Sequence, residues 1–330
     1  MKLYLVLFVT FLSISQNFAQ KKAERIEKDS LIIIRQNPKK GFHNDYLLFI
    51  PKGTPKNKQI YLLVEPNNTG TISDSMEVHR KSAIHTASVS SVGNNISTEL
   101  KIPLLVPIFP RPESKALVYT HALDRDVIFE KSESLKRLDL QLINMINHGK
   151  EELKHLGIMV NDQIFMNGFS ASASFTNRFS FLHPEIIKAL AIGGFNGELM
   201  LPLSEYKGEK LNYPLGINDI KKITKEAFNE TAFKNIPQYI YMGALDDNDA
   251  VQYDDAYNDD ERRIINTTLG NQTQNRWQHC QQIYKNQSVN AKYTTYENVG
   301  HETTSKVNLD VILFFNEFLK KALTNDDSAK

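Results

Sequence analysis

Cysteine is almost missing from this 330-residue chain, where Cys280 stands alone. An intramolecular disulfide is therefore excluded, and so is a zinc site built on several cysteines. Neither charge dominates: 39 Lys and Arg face 38 Asp and Glu, a net charge of +1. No global field exists to attract nucleic acid or an anionic membrane. Beyond residue 12, no apolar run approaches the ~20 residues that a membrane span needs. The glycine fingerprint of dinucleotide sites, the phosphate-binding P-loop and the H-E-x-x-H zinc motif are absent. Gly193-Gly194 and Gly197 follow an apolar run without that fingerprint's spacing. No repeat is found. The chain is thus expected to carry no cofactor, no catalytic metal and no nucleic-acid partner.

What remains is ordinary globular composition, with 41% hydrophobic and 23% charged residues, which excludes wholesale disorder. A chain of this size buries about 75% of its unfolded surface and needs no covalent staple. Lys2, an apolar stretch over residues 3–12 and the small Ala19 read as a signal peptide spanning residues 1–19. The stretch is about half a membrane span, so a stable anchor is not expected. No cysteine lies at the junction to carry a lipid. Cleavage after Ala19 removes one lysine and leaves a mature chain of zero net charge, residues 20–330. The expected location is secreted or periplasmic.

Short apolar runs then recur between Pro, Gly and Asn. Residues 31–35 and 46–51, separated by a Pro- and Gly-containing turn, read as an antiparallel hairpin. Residues 59–65 and 102–109 are near-continuously apolar, as strands covered on both faces are. Further strands are expected at 162–167, 187–192, 238–242 and 292–296. Helices are expected at 134–156, where Leu135, Leu138, Leu142, Met145 and Ile146 share one face, and at 175–182 and 307–323, before a polar tail at 325–330. This alternation specifies an α/β fold with a mostly parallel central sheet and helices on both faces. Functional side chains in such sheets gather at the carboxyl ends of strands.

At one such end stands Gly168-Phe169-Ser170-Ala171-Ser172, between a strand and a helix. A sharp strand-to-helix turn needs small residues at the two flanking positions and leaves the central serine hydroxyl exposed. Ser172 occupies the position usually taken by glycine, and it too is small. Ser170 could alternatively do no more than cap the helix. A serine nucleophile needs a base and an orienting carboxylate. Of nine histidines, His301 follows a strand and Gly300 and precedes the last helix, where a loop can carry an imidazole over the sheet. Asp246 is the first carboxylate beyond the preceding strand, and Asp249 is its rival.

With Gly168-x-Ser170-x-Ser172, the turn from Gly243 to Asp246 and Gly300-His301 in this order, residues 31–323 resemble the α/β-hydrolase superfamily. The resemblance is closest to its secreted esterase and polyhydroxyalkanoate-depolymerase-like branches. It implies a single α/β-hydrolase domain and an oxyanion hole made of backbone N–H groups. Ala171 would supply one, and Asn67 or Asn68 the other, since Pro66 has no N–H to donate. A lid-like insertion is implied at about 199–235, with Tyr206, Tyr213 and Phe228 shaping the substrate site.

The eight carboxylates between Asp246 and Glu261 lack calcium-loop spacing and read as a solvated acidic loop. The function expected is an exported serine hydrolase that cleaves small or polymeric esters through Ser170, His301 and Asp246. A peptidase or amidase with the same residues, and a non-catalytic polymer-binding protein on the same fold, are the alternatives.

Overall fold

A computed structural model describes residues 24–56, 58–89 and 91–327. The expected signal peptide lies outside the described residues. Eight strands form the central sheet: β1 (Ser30–Ile34), β2 (Tyr46–Ile50), β3 (Leu63–Val64), β4 (Leu104–Pro107), β5 (Ile164–Phe169), β6 (Ile187–Gly193), β7 (Gln238–Gly243) and β8 (Ala291–Tyr296). Their order is β1-β2-β4-β3-β5-β6-β7-β8. Only β2 opposes the rest: it pairs antiparallel with β1 and β4, and all other neighbours are parallel. The expected hairpin is present, with Leu31 opposite Phe49. Pro107 is the last residue of β4, so its missing N–H interrupts no ladder.

Strands β2, β3, β4 and β7 are buried along their whole length, which requires cover on both faces. The register shows how that cover is divided. Leu63 pairs with both Leu104 and Phe165, so these three share a face. Phe165 meets Phe315 of α7 (Ser305–Asp327), with ring centroids 4.9 Å apart. Leu105 follows Leu104 and therefore points to the other face, beside its partner Leu48. There Gly149 of α3 (Leu138–His155) packs on both leucines.

Several helices differ from the sequence reading. Helix α3 starts at Leu138 rather than 134, because Arg137 adopts a left-handed φ of 46° that α-helix cannot continue. Helix α7 runs on into the expected polar tail, to Asp327. Helices α1 (Met76–Ser88) and α2 (Val92–Leu100) were not expected. Helix α1 buries only His79, Ala83 and Ala87, small or polar residues at i, i+4 and i+8 that make no apolar stripe. After β5 comes α4 (Ala171–Leu182), after β7 come α5 (Asp259–Thr268) and α6 (Thr273–Asn286).

Candidate active site

The turn between β5 and α4 is held by its own residues. Ser170 adopts φ 61° and ψ −131°, a conformation that costs about 1–3 kcal/mol for a residue with a side chain. Gly168 permits it: a Cβ there would lie 2.3 Å from the Ser172 carbonyl oxygen. Ser172 replaces the usual glycine by bonding into the turn. Its hydroxyl donates to the Phe169 carbonyl at 2.8 Å and accepts from the Phe169 N–H at 3.0 Å. Residue 170 is thereby lifted above the sheet at the N-terminus of a 12-residue helix.

The loop after β8 brings His301 over this turn. His301 Nε2 lies 3.0 Å from Ser170 Oγ. On its other side, His301 Nδ1 lies 3.2 and 3.1 Å from the two carboxylate oxygens of Asp246. A carboxylate only accepts, so Nδ1 carries the proton and Nε2 is left to accept from the serine hydroxyl. The imidazole rests against the Phe169 ring, with centroids 4.9 Å apart. Gly194, at φ +66°, keeps the backbone clear of both rings, since a Cβ would stand 2.7 Å from Phe169 and 3.2 Å from His301.

Asp246 is 2% exposed. The Asn248 N–H donates to its carboxylate at 3.1 Å. The two loops are joined by backbone bonds: Ala244 N–H donates to the Tyr296 carbonyl and Leu245 N–H to that of Val299, both at 2.9 Å. Gly243 makes this approach possible, because a Cβ there would lie 2.3 Å from the Val299 oxygen. Gln274 of α6 donates to the carbonyls of Gly243 and Asp246 at 2.9 and 3.0 Å. Asp249 is turned away, with its Oδ1 2.6 Å from Nη2 of the fully buried Arg276.

Among the described residues, no acceptor engages the backbone N–H of Ala171, Asn67 or Asn68. The Asn67 side chain is committed elsewhere: it donates to the Phe109 carbonyl at 2.9 Å and accepts from the Phe109 N–H at 3.0 Å. That pair ties the loop after β3 to the end of β4. Asn68 Nδ2 reaches the Phe169 carbonyl at 3.4 Å. Asn68 lines a cavity of ≈ 150 Å³ beside the turn, together with Glu65, Phe169 and Ser172. Burial pushes the Glu65 carboxyl up to about 7, against the lowering effect of hydrogen bonds from Asn167 and the Gly93 N–H.

Neither Tyr206 nor Tyr213 lines the cavity at Ser170, and the burial of Tyr213 corrects the expectation for that residue. Tyr213 is fully buried and its hydroxyl donates to the Leu123 carbonyl. Tyr206 lies in the small hairpin Glu205–Tyr206 and Glu209–Lys210, beside Lys207. Phe228 stacks on Phe181. Within residues 199–235, Leu199, Met200, Leu201, Leu211 and Leu215 belong to the core.

The cavity at Ser170 is instead lined by Tyr119, Ser174, Arg178, Asn196 and Tyr257, with alanines between them. Sequence reasoning passed over Ser174, Arg178, Asn196 and Tyr257. Ser174 and Arg178 follow Ser170 at i+4 and i+8, a spacing that marks one helix face and was readable. Arg178 is 2% exposed. It donates to the Ala122 carbonyl at 3.0 Å and to the Tyr257 hydroxyl at 2.8 Å. Tyr257 in turn donates to Glu198 at 2.7 Å. Burial opposes the Arg178 charge, but Tyr257 and Glu198 outweigh it and hold the guanidinium above its ordinary pKa.

Asp254, Asp259 and Asp260 of the acidic segment are exposed, as expected of a solvated stretch, whereas Asp255 is largely withdrawn from water. Asp254 and Asp259 pair with Arg262, Asp260 with Arg263, and Asp255 with Arg111 at 2.5 Å. Among the described residues, no group of three or more His, Cys, Asp or Glu side chains is arranged to hold a metal ion.

No family model matches the chain, and no curated protein matches it. Solved structures do. A poly(aspartic acid) hydrolase from Sphingomonas sp. KT-1 superposes with a TM-score of 0.57 at 12% identity, over 88% of this chain and 98% of that one. A poly(3-hydroxybutyrate) depolymerase from Bordetella parapertussis gives 0.55 at 13% identity, over 88% and 90%. At such identities the likeness is one of fold.

Proposed function

We propose that this chain, an α/β-hydrolase by fold, is a serine hydrolase of carboxylic esters that works outside the cytoplasm. One observation carries the reading: the hydrogen-bonded series Ser170–His301–Asp246, assembled from the ends of β5, β8 and β7. Helix capping alone would not need an imidazole 3.0 Å from the serine oxygen, nor a buried carboxylate behind it. The N-terminal signal pattern supports export.

In the first step Ser170 Oγ bonds to the ester carbonyl carbon while its proton passes to His301 Nε2. The carbonyl electron pair moves onto oxygen, where the backbone N–H of Ala171 and that of Asn67 or Asn68 would stabilise the charge. Collapse of this intermediate expels the alcohol, which takes the proton from His301. Water then attacks the acyl-serine, giving one proton to His301, which returns it to Ser170 Oγ as the acid leaves. Asp246 keeps the imidazole in the accepting tautomer and stabilises its protonated form.

Fluorophosphonate labelling and turnover of short-chain acyl esters test the reading. Ser170→Ala is expected to abolish labelling and lower turnover by ~10³-fold or more in a folded protein. Labelling that survives in Ser170→Ala refutes the nucleophile. A parallel panel of polyesters and polyamides separates ester from amide cleavage.

A further inference from the structure

We infer that Ser174, backed by Arg178, makes the acyl pocket select a short acyl group with a neutral oxygen on its α-carbon. The inference rests on the hydrolase reading above and names its substrate class.

Three observations lead there. The cavity at Ser170 has a volume of only ≈ 20 Å³, and Ala122, Ala171, Ala250 and Ala256 line it with small side chains. Room for a water-sized group takes about 10–15 Å³ on this measure, so one or two heavy atoms fit beyond the carbonyl and an alkyl chain does not. The second is Ser174. It is 5% exposed, lines this cavity, and its Oγ is buried without any hydrogen-bond partner. Native proteins rarely leave a buried hydroxyl unpaired, and one at a binding site is ready for a partner atom on the ligand. The third is the charge balance around Arg178. Its guanidinium lies 3.9 Å from the buried Glu198 carboxylate, to which it is also linked through Tyr257. That charge is already answered within the protein. A ligand carboxylate would lose its hydration and find no unpaired cation, whereas a hydroxyl can both accept from and donate to Ser174.

The cavity suits the acyl half of the ester. His301, which returns the proton to the leaving alcohol, is 29% exposed at its side chain, so the alcohol side opens to solvent. The enclosed space along α4 is left for the acid. A glycolyl group, with a CH₂OH on its carbonyl, fills that space and brings its hydroxyl to Ser174. A propionyl group has the same size and leaves Ser174 unpaired.

The experiment compares kcat/KM for glycolyl, propionyl and hexanoyl esters of one alcohol, each divided by the ester's own alkaline hydrolysis rate. Glycolyl is expected to exceed propionyl by about tenfold or more, and hexanoyl to fall at least ~10-fold below propionyl. Ser174→Ala should bring the glycolyl-to-propionyl ratio to within about threefold of one. Propionyl matching glycolyl in the native protein overturns the inference, as does a ratio unchanged in Ser174→Ala or efficient hexanoyl turnover. Fluorophosphonate labelling of the same preparation separates the two levels. Labelled enzyme with no oxygen preference defeats the pocket assignment alone, whereas absence of both labelling and ester turnover defeats the hydrolase reading and this inference with it.

Discussion

Asp246 and Asp249 lie three residues apart, yet removing each should damage the protein in a different way. Asp246 faces the imidazole of His301 at 3.1 Å, and its other evident task is to accept the Asn248 N–H. Asn at this position keeps an acceptor for that N–H but no longer dictates the imidazole tautomer. Asp246→Asn should therefore lower kcat by ~10⁴-fold, the scale set by well-studied triads. The melting temperature should stay within a few degrees. Asp249 instead balances Arg276, whose side chain is 0% exposed, across 2.6 Å. Losing one partner of a buried pair costs about 3–5 kcal/mol. Here Asp249 is itself 20% exposed, and Arg276 keeps bonds to the carbonyls of Asn196 and Gly270, so the cost falls just below that range. Asp249→Ala should cost about 2–3 kcal/mol and lower Tm by about 4–8 °C, with kcat of the folded fraction within about tenfold of native. Circular dichroism melts beside kcat on a short-chain ester, both on the purified variants, measure the two effects. A ~10⁴-fold kcat loss in Asp249→Ala, with full turnover retained by Asp246→Asn, would refute the reasoning.

Two further outcomes follow from buried groups near the site. Glu65, pushed from 4.5 up to about 7 by burial, holds its proton more tightly folded than unfolded. Its contribution to stability is thus full below about 4.5 and is lost as pH rises to about 7, a change on the order of 3 kcal/mol. Glu65→Gln removes this dependence, so its Tm relative to native should rise between pH 5 and pH 8; an equal offset at both values contradicts the linkage. Cys280 is buried and its thiol is pushed up to about 12, chiefly by burial. It should resist aromatic disulfide reagents in the native protein and react with one equivalent after denaturation, and rapid native labelling would show that α6 opens readily.

Local pattern carried much of this protein. Continuous apolar runs ending in Gly or Pro marked the strands, because a strand buried on both faces shows itself in adjacent residues. The small residues around Ser170 marked a tight turn, because steric exclusion at Gly168 acts over only a few positions. Helix α1 was invisible because it buries alanines and a histidine, and α2 because its stripe of Val92, Ile96 and Leu100 spans only nine residues and sits beside buried Asn94 and Ser97. Their stability comes from neighbours distant in sequence. The same distance separates the two aspartates' roles. Nothing near residue 246 announces that Arg276 will take Asp249, or that Gln274 will hold the Asp246 backbone, until α6 packs beneath the loop. Tyr213 read as an aromatic of an insertion that shapes the substrate site, and folding placed it in the core with its hydroxyl on the Leu123 carbonyl. Sequence periodicity decides which residues leave water. Which buried polar groups then meet depends on long-range packing, since a buried charge or hydroxyl takes whatever partner the assembled chain brings within reach.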